Sequence, residues 1–117
     1  MKPNPIKDKS FAFAVRIVNV YKYLSETKRE FVLSKQLLRS GTAVGALYRE
    51  AEQAESKADF VHKLAIAQKE CNETLYWLEL IQASEFIDKT AFDSIYSEAL
   101  ELMKLLTSII KTTKNNG

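Results

Sequence analysis

The sequence contains few helix-breaking residues and almost none that form disulfides or bind metals. Its 117 residues include 3 Gly, 2 Pro, 1 Cys and 1 His, and the prolines are Pro3 and Pro5. A single Cys cannot form a disulfide within the chain, which fits a reducing cytoplasm. No Asn-Gly or Asp-Gly turn lies between alternating apolar segments, so the chain lacks the usual signals of β-hairpins. These absences favour an all-α fold.

Long apolar segments are also missing. No stretch of about 18 residues is free of charged side chains, and the N-terminus lacks the apolar segment of a signal peptide. We therefore expect a cytoplasmic protein with no membrane partner. Apolar residues make up 46% of the chain and charged residues 27%, a composition that is typical of a folded domain. The length predicts one domain over residues 1–117, with flexible tails at about 1–9 and 112–117.

Four segments carry apolar residues at alternating steps of three and four, the spacing of one helix face. Ser56 followed by Asp59 resembles a capping box, so a helix is expected to start there. Short polar connections favour antiparallel neighbours, and we predict an up-down-up-down four-helix bundle. The expected helices start near Ser10, span about 30–55 and 57–83, and begin at a cap formed by Thr90 and Asp93.

The second predicted helix contains an unusual run of small residues. Each of its two glycines, Gly41 and Gly45, costs about 0.5 to 1 kcal/mol relative to Ala inside a helix. This cost is explained if another backbone, from this chain or from a second copy, packs closely against the glycines. We therefore predict close helix contacts at both positions and a central place for this helix.

The charges are unevenly distributed along the chain. Residues 1–49 carry 10 Lys or Arg against 3 Asp or Glu, whereas residues 50–117 carry 7 against 12. One interpretation is complementary pairing between antiparallel helices, and the other is a basic surface for an anionic partner. Lys35, Arg39 and Arg49 lie on the face of the second helix roughly opposite its apolar residues.

Metal sites and nucleophilic catalysis are disfavoured by the residue counts. Asp59 and His62 have the spacing of half a dinuclear metal site, but such a site needs a second His. His62 and Cys71 lie about 13 Å apart along one predicted helix, too far for a catalytic pair. No glycine-rich phosphate loop is present. We therefore predict no catalytic residues, no bound metal and no cofactor.

Charged and aromatic residues of the second and third helices allow two interpretations. Glu70 and Glu73 lie one turn apart and could act as an acid–base pair, but no nucleophile accompanies them. Ion pairing with the cations of the second helix is the preferred interpretation. Tyr76 and Trp77 could stack on nucleic-acid bases, although aromatic residues at helical spacing more often serve as core or interface anchors.

Three segments together resemble the four-helix bundle proteins encoded in 23S ribosomal RNA intervening sequences. They are FAVRIVNVYKYL, QLLRSGTAVGALYREA and LAIAQKECNETLYWLELI, within residues 11–83. This chain has Ala43 and Leu47 where many members have a Ser and an Asn, so any polar role of those positions is lost here. The residues that follow the family's spacing are Gln36, Arg39, Ser40, Glu50, Glu70, Glu73, Thr74 and Trp77.

The resemblance implies an antiparallel bundle that assembles into a ring-like homo-oligomer, a pentamer, without an established enzyme activity. The accessory proteins of diversity-generating retroelements are similar in fold and are thought to bind nucleic acid and a reverse transcriptase. By that analogy, a role in binding RNA or DNA, or in scaffolding a partner protein, is expected.

Three functional hypotheses follow, and the third, a small enzyme, is the least favoured. The first is a non-enzymatic homo-oligomer that binds nucleic acid through the basic residues of the first two helices: Arg16, Lys22, Lys35, Arg39 and Arg49. The second is a protein-interaction scaffold whose charged residues form subunit or partner contacts. The residues expected at helix-packing or subunit contacts are Ser40, Gly41, Gly45, Glu50, Glu70, Glu73 and Trp77.

Overall fold

Four helices follow one another in the structure, a computed structural model that describes residues 3–116. The residues described contain no β-strand, and none of their helices is long and apolar enough to cross a membrane. The helices are α1 (Pro5–Lys22), which continues into a π-helical turn (Tyr23–Thr27), α2 (Leu33–Glu52), α3 (Lys57–Ala83) and α4 (Lys89–Asn115).

Capping side chains explain where the helices begin. Ser56 caps α3 as predicted, because its Oγ accepts a hydrogen bond from the backbone N–H of Asp59 at 3.0 Å. The predicted start of α4 was wrong, since the cap is Asp88, whose Oδ1 accepts from Ala91 N at 2.8 Å. At the start of α2, the Glu30 carboxylate accepts from the N–H groups of Val32, Leu33 and Ser34 at 3.2, 3.0 and 2.8 Å.

The outer helices extend into the segments predicted as tails. α1 begins at Pro5 rather than near Ser10, because Asn4 Oδ1 accepts from Lys7 N at 3.3 Å and proline suits the first helical position. Ile6 is consequently buried in the core. α4 continues to Asn115, well into the predicted C-terminal tail. Met1, Lys2 and Gly117 lie outside the described residues.

In each pair of neighbouring helices, residues that come later in one helix contact residues that come earlier in the other. Ile17 of α1 lies against Gly41 of α2, and Ser10 lies against Gly45. Every neighbouring pair is therefore antiparallel, which confirms the up-down-up-down bundle. The reversed order recurs in Arg39 with Glu73 and Glu50 with Lys63 (α2 and α3), Glu79 with Tyr96 and Gln68 with Thr107 (α3 and α4), and Arg16 with Ser94 and Lys9 with Glu101 (α1 and α4).

The core is a continuous apolar layer along the bundle axis, to which all four helices contribute. Phe13 and Ile17 of α1 and Leu37 of α2 are almost completely buried. Leu64 of α3 and Leu102 of α4 are buried to the same degree. In the described part of the chain, each buried side-chain nitrogen or oxygen has a hydrogen-bond partner. The buried polar side chains of the interior are thus satisfied within the chain.

Candidate functional site

Arg39 forms the centre of a polar network between α2 and α3. Its guanidinium donates to Glu70 Oε1 at 3.0 Å and also to Glu73 Oε1. Trp77 Nε1 donates to the same Glu73 oxygen at 3.0 Å, and this hydrogen bond, together with that from Arg39, lowers the pKa of Glu73. The predicted ion pairing between these helices is therefore present. Arg39 is half-exposed, but its charge is already matched by two carboxylates.

Next to this network, two buried hydroxyl groups connect the same helices. Ser40 Oγ and Thr74 Oγ1 lie 2.9 Å apart and form a hydrogen bond, and both side chains are completely buried. Thr74 Oγ1 also lies 2.8 Å from the Glu70 carbonyl oxygen. A polar pair enclosed by apolar residues is satisfied in only one register, so it fixes how α2 and α3 align. Ser40 thus has a packing role within one chain.

The remaining predicted residues of α2 divide between two contacts. Glu50 forms an ion pair with Lys63 of α3 at 3.2 Å. Arg49 instead lies over the ring of Phe11 from α1, with its Cζ atom 5.5 Å from the ring centroid. An exposed cation–π contact of this kind is weak, so the guanidinium stays accessible to a stronger partner.

Three of the five basic residues predicted to bind nucleic acid thus have contacts within the chain, but only Arg39 and Arg16 are ion-paired within residues 3–116. Besides Arg39 and Arg49, Arg16 of α1 donates to Glu98 and to Ser94 Oγ of α4, the latter at 3.1 Å. Lys22 and Lys35 are exposed, and neither forms an ion pair with any residue that the structure describes. The continuous basic row expected along α2 is therefore interrupted at its centre.

Sequence reasoning missed the exposed aromatic and basic residues of the α1–α2 connection, which spans residues 23–32. Lys28 Nζ lies 5.9 Å from the centroid of the Tyr23 ring, and Arg29 Cζ lies 5.3 Å from that of Phe31. Neither cation has a carboxylate partner among residues 3–116. Tyr23 and Phe31 are 43% and 45% exposed, so this connection presents two rings and two cations to solvent. The alternation of basic and aromatic residues over 22–31 was the available signal.

A second exposed patch lies on α1. Phe11 and Val15, one helical turn apart, are 59% and 47% exposed. The Phe11 ring borders a groove of about 280 Å³ whose floor includes Gly45 and Ala46 of α2. Large apolar side chains at the surface of a bundle, next to small residues, are typical of a contact with another protein.

Arg16, Asp88 and Cys71, which could in principle support catalysis, are engaged or inaccessible. A groove of about 430 Å³ between α1 and α4 includes Arg16 and Asp88, but these pair with Glu98 and cap α4, respectively. Cys71 is fully buried, its thiol lies 3.3 Å from the Ala99 carbonyl oxygen, and burial raises its pKa to about 11. Over residues 3–116, no three His, Cys, Asp or Glu side chains are close enough to share a metal ion.

Comparison with known proteins places these features in a family. The sequence model of the 23S rRNA-intervening sequence protein family matches residues 2–108. A crystal structure of a protein of unknown function, from the S23 ribosomal protein family of Bacteroides thetaiotaomicron VPI-5482, is 59% identical and superposes with a TM-score of 0.90. That match covers 91% of this chain and 98% of the other. A comparison with curated proteins gives no match.

Proposed function

The chain belongs to the 23S rRNA-intervening sequence protein family, and we propose that it is a non-enzymatic, cytoplasmic homo-oligomer that binds nucleic acid. One observation carries the nucleic-acid role. The end of the bundle that bears the α1–α2 connection carries a group of cations without ion-pair partners among the described residues. This group, here named the end cluster, consists of Lys22, Lys28, Arg29 and Lys35.

Between Lys22 and Lys35 the cations of the end cluster outnumber the carboxylates. Lys28 also borders a groove lined by Glu85 and Asp88 of the α3–α4 connection, where Asp88 is engaged as the cap of α4. Glu30 directs its oxygens at three backbone N–H groups of α2. Burial raises the Glu30 pKa, but these hydrogen bonds outweigh that effect and lower it, so the carboxylate stays ionised as a helix cap. Glu26 is the other acidic residue between Lys22 and Lys35. Phosphate groups are the natural counterions of such a surface.

Assembly would strengthen this attraction. In a closed homo-oligomer, a pentamer in our proposal, each copy contributes the same end cluster, and symmetry places the copies around one axis. Phosphate contacts supply affinity without reading bases, so little sequence preference is expected. Arg39 and Arg16 are assigned to holding the bundle together, while Arg49 is available near the exposed patch on α1.

A protein-interaction scaffold is the second candidate, and the exposed patch of Phe11 and Val15 is the observation that favours it. Both residues are exposed in the single chain, and a subunit or a partner protein would cover them. The two candidates share the assembled bundle but differ in what it binds.

A salt series separates the candidates. Binding of single-stranded RNA and duplex DNA should weaken by about 0.7 to 0.9 log units per neutralised phosphate for each tenfold rise in salt. Lys22→Glu with Lys35→Glu should weaken binding and reduce the salt slope, by about one unit for each phosphate that is no longer neutralised. Lys57→Glu with Lys69→Glu, which changes two exposed lysines of α3, is the matched control.

Light scattering must show that each variant keeps the mass of the wild-type assembly. If an intact assembly binds no nucleic acid at low salt, the scaffold candidate replaces the first. If both double variants lose affinity equally, binding depends on net charge, and the end cluster is not the site.

A further inference from the structure

The α1–α2 connection presents aromatic rings as well as cations, and the rings are in an unusual place for their size. Tyr23 and Phe31 are 43% and 45% exposed, and the neighbouring Val32 is 71% exposed. Rings of this size usually lie in a core or an interface. Here each ring has a cation over it, Lys28 at 5.9 Å and Arg29 at 5.3 Å from the centroid.

The connection is held to the end of α1 by backbone hydrogen bonds. Lys28 N donates to Tyr23 O at 3.2 Å, and Glu30 N donates to Leu24 O at 2.9 Å. Leu24 is completely buried and anchors the turn in the core. Arg29 occupies the left-handed region at φ 56°, a conformation that glycine adopts more easily. The backbone that bears the rings is thus preorganised, which reduces the conformational entropy lost on binding.

We propose that this connection binds single-stranded nucleic acid by stacking unpaired bases on Tyr23 and Phe31 while Lys28 and Arg29 contact the adjacent phosphates. The inference rests on the proposed function and adds the preferred form of nucleic acid. Stacking on aromatic side chains is available to every base, so it requires no particular sequence. Bases inside a duplex are already stacked on one another, so their faces are not available to an exposed ring.

Charge and shape favour this occupant over an apolar peptide. The end cluster supplies four cations, and Glu30 is occupied as the cap of α2. An apolar partner would bury these cations without counterions, at a high cost in desolvation. A single strand offers both components that the surface matches, namely planar bases for the rings and phosphates for the cations. The cation–π contacts present in the free protein are weak at an exposed site and are readily exchanged for phosphate contacts.

The test measures the affinity of the full chain for a labelled single-stranded RNA and for the matching duplex. Wild type should prefer the single strand. Tyr23→Leu with Phe31→Leu should weaken single-strand binding at least about tenfold and leave duplex binding unchanged. Phe31→Tyr, which keeps a ring, should bind as wild type does. Tyr76→Leu, at a ring of similar exposure on α3, is the matched control and should have no effect.

A fluorescent adenine analogue within the strand gives a second readout, because stacking quenches its emission. At saturating protein, quenching should occur with wild type and disappear with the double leucine variant, whereas Lys22→Glu with Lys35→Glu should only raise the protein concentration at which quenching is reached. The outcomes separate this inference from the proposed function. If the leucine variant binds and quenches like wild type while Lys22→Glu with Lys35→Glu does not bind, stacking is wrong and nucleic-acid binding stands.

If wild type binds neither form of nucleic acid, the proposed function fails and this inference fails with it. If the leucine variant loses binding together with the mass of the assembly, the rings are subunit contacts and the inference is overturned.

Discussion

Ile17 of α1 packs so closely on Gly41 of α2 that a Cβ atom at position 41 would lie 2.8 Å from Ile17 Cγ1 and 2.9 Å from Cγ2. Ile17 is completely buried and branched at Cβ, so its side chain cannot move aside easily. At Gly45, a Cβ would instead lie 3.2 Å from Ser10 Oγ and 3.4 Å from the Ser10 carbonyl oxygen. Both glycines thus lie at close contacts within one chain, but only Gly45 meets a backbone, whereas Gly41 meets the Ile17 side chain.

Gly41→Ala should therefore destabilise the protein, and Gly45→Ala should change stability much less. At position 41, overpacking of about 1 to 3 kcal/mol exceeds the gain of up to about 1 kcal/mol in helix propensity. At position 45 the two effects nearly cancel. Denaturant unfolding of both variants measures the difference. Equal effects, or a stabilised Gly41→Ala variant, would contradict the packing argument.

The partly exposed Glu73 carboxylate should stabilise the bundle at neutral pH and lose this effect in acid. Hydrogen bonds from Trp77 and Arg39 lower its pKa below the usual 4.5, so it is ionised more readily in the folded state than in the unfolded state. Its contribution is complete above the unfolded pKa and disappears as the pH falls through the lower folded pKa. Glu73→Gln should cost at most about 1 kcal/mol at neutral pH, because the pair is accessible to solvent.

The melting temperatures of Glu73→Gln and wild type should converge as the pH is lowered. A difference that stays constant down to strongly acidic pH would show that the carboxylate charge is not responsible. Glu79→Gln, on the same helix but paired with Tyr96 instead, provides a comparison within α3.

Arg29→Gly should raise the stability of the protein and weaken its binding of nucleic acid. Arg29 and Glu85 both have positive φ, at 56° and 67°, where a side chain costs roughly 1 kcal/mol or more. Arg29→Gly and Glu85→Gly should both raise the melting temperature, because glycine adopts this conformation without the steric cost. Only Arg29→Gly should weaken RNA binding. Equal binding by the two variants would remove Arg29 from the nucleic-acid surface.

The thiol of Cys71 should react only when the protein unfolds. It is fully buried, and burial raises its pKa to about 11, so very little thiolate is present at neutral pH. A thiol reagent should modify the native protein slowly and the guanidinium-unfolded protein at once. Rapid labelling under native conditions would show that α3 and α4 separate locally near Ala99.

The exposed patch on α1 should be required for assembly. Phe11→Glu with Val15→Glu is expected to reduce the mass measured by light scattering, because two charges cannot be buried at an apolar contact. Ser108→Glu, at an exposed position of α4, should leave the mass unchanged. A wild-type protein that is monomeric at micromolar concentration would end the homo-oligomer proposal.

The sequence by itself determined the number of helices and most of their extents. Apolar residues at steps of three and four define a helix face whatever surrounds it, and the cap formed by Ser56 and Asp59 depends only on local geometry. The span of α3 was predicted correctly for this reason. The two glycines also predicted close contacts, because helix propensity gives no other reason for glycine at these positions.

Only the tertiary structure decided which charged residues are engaged. Periodicity assigns a side chain to a face of its own helix, but it does not give the rotation of that helix against its neighbours. Arg39 and Lys35 belong to the same predicted basic row, yet Arg39 meets Glu70 and Glu73 while Lys35 stays exposed. The packing of Ile17 on Gly41 and the buried pair of Ser40 and Thr74 set the helix rotation. Lys35 is left without an ion-pair partner among the described residues.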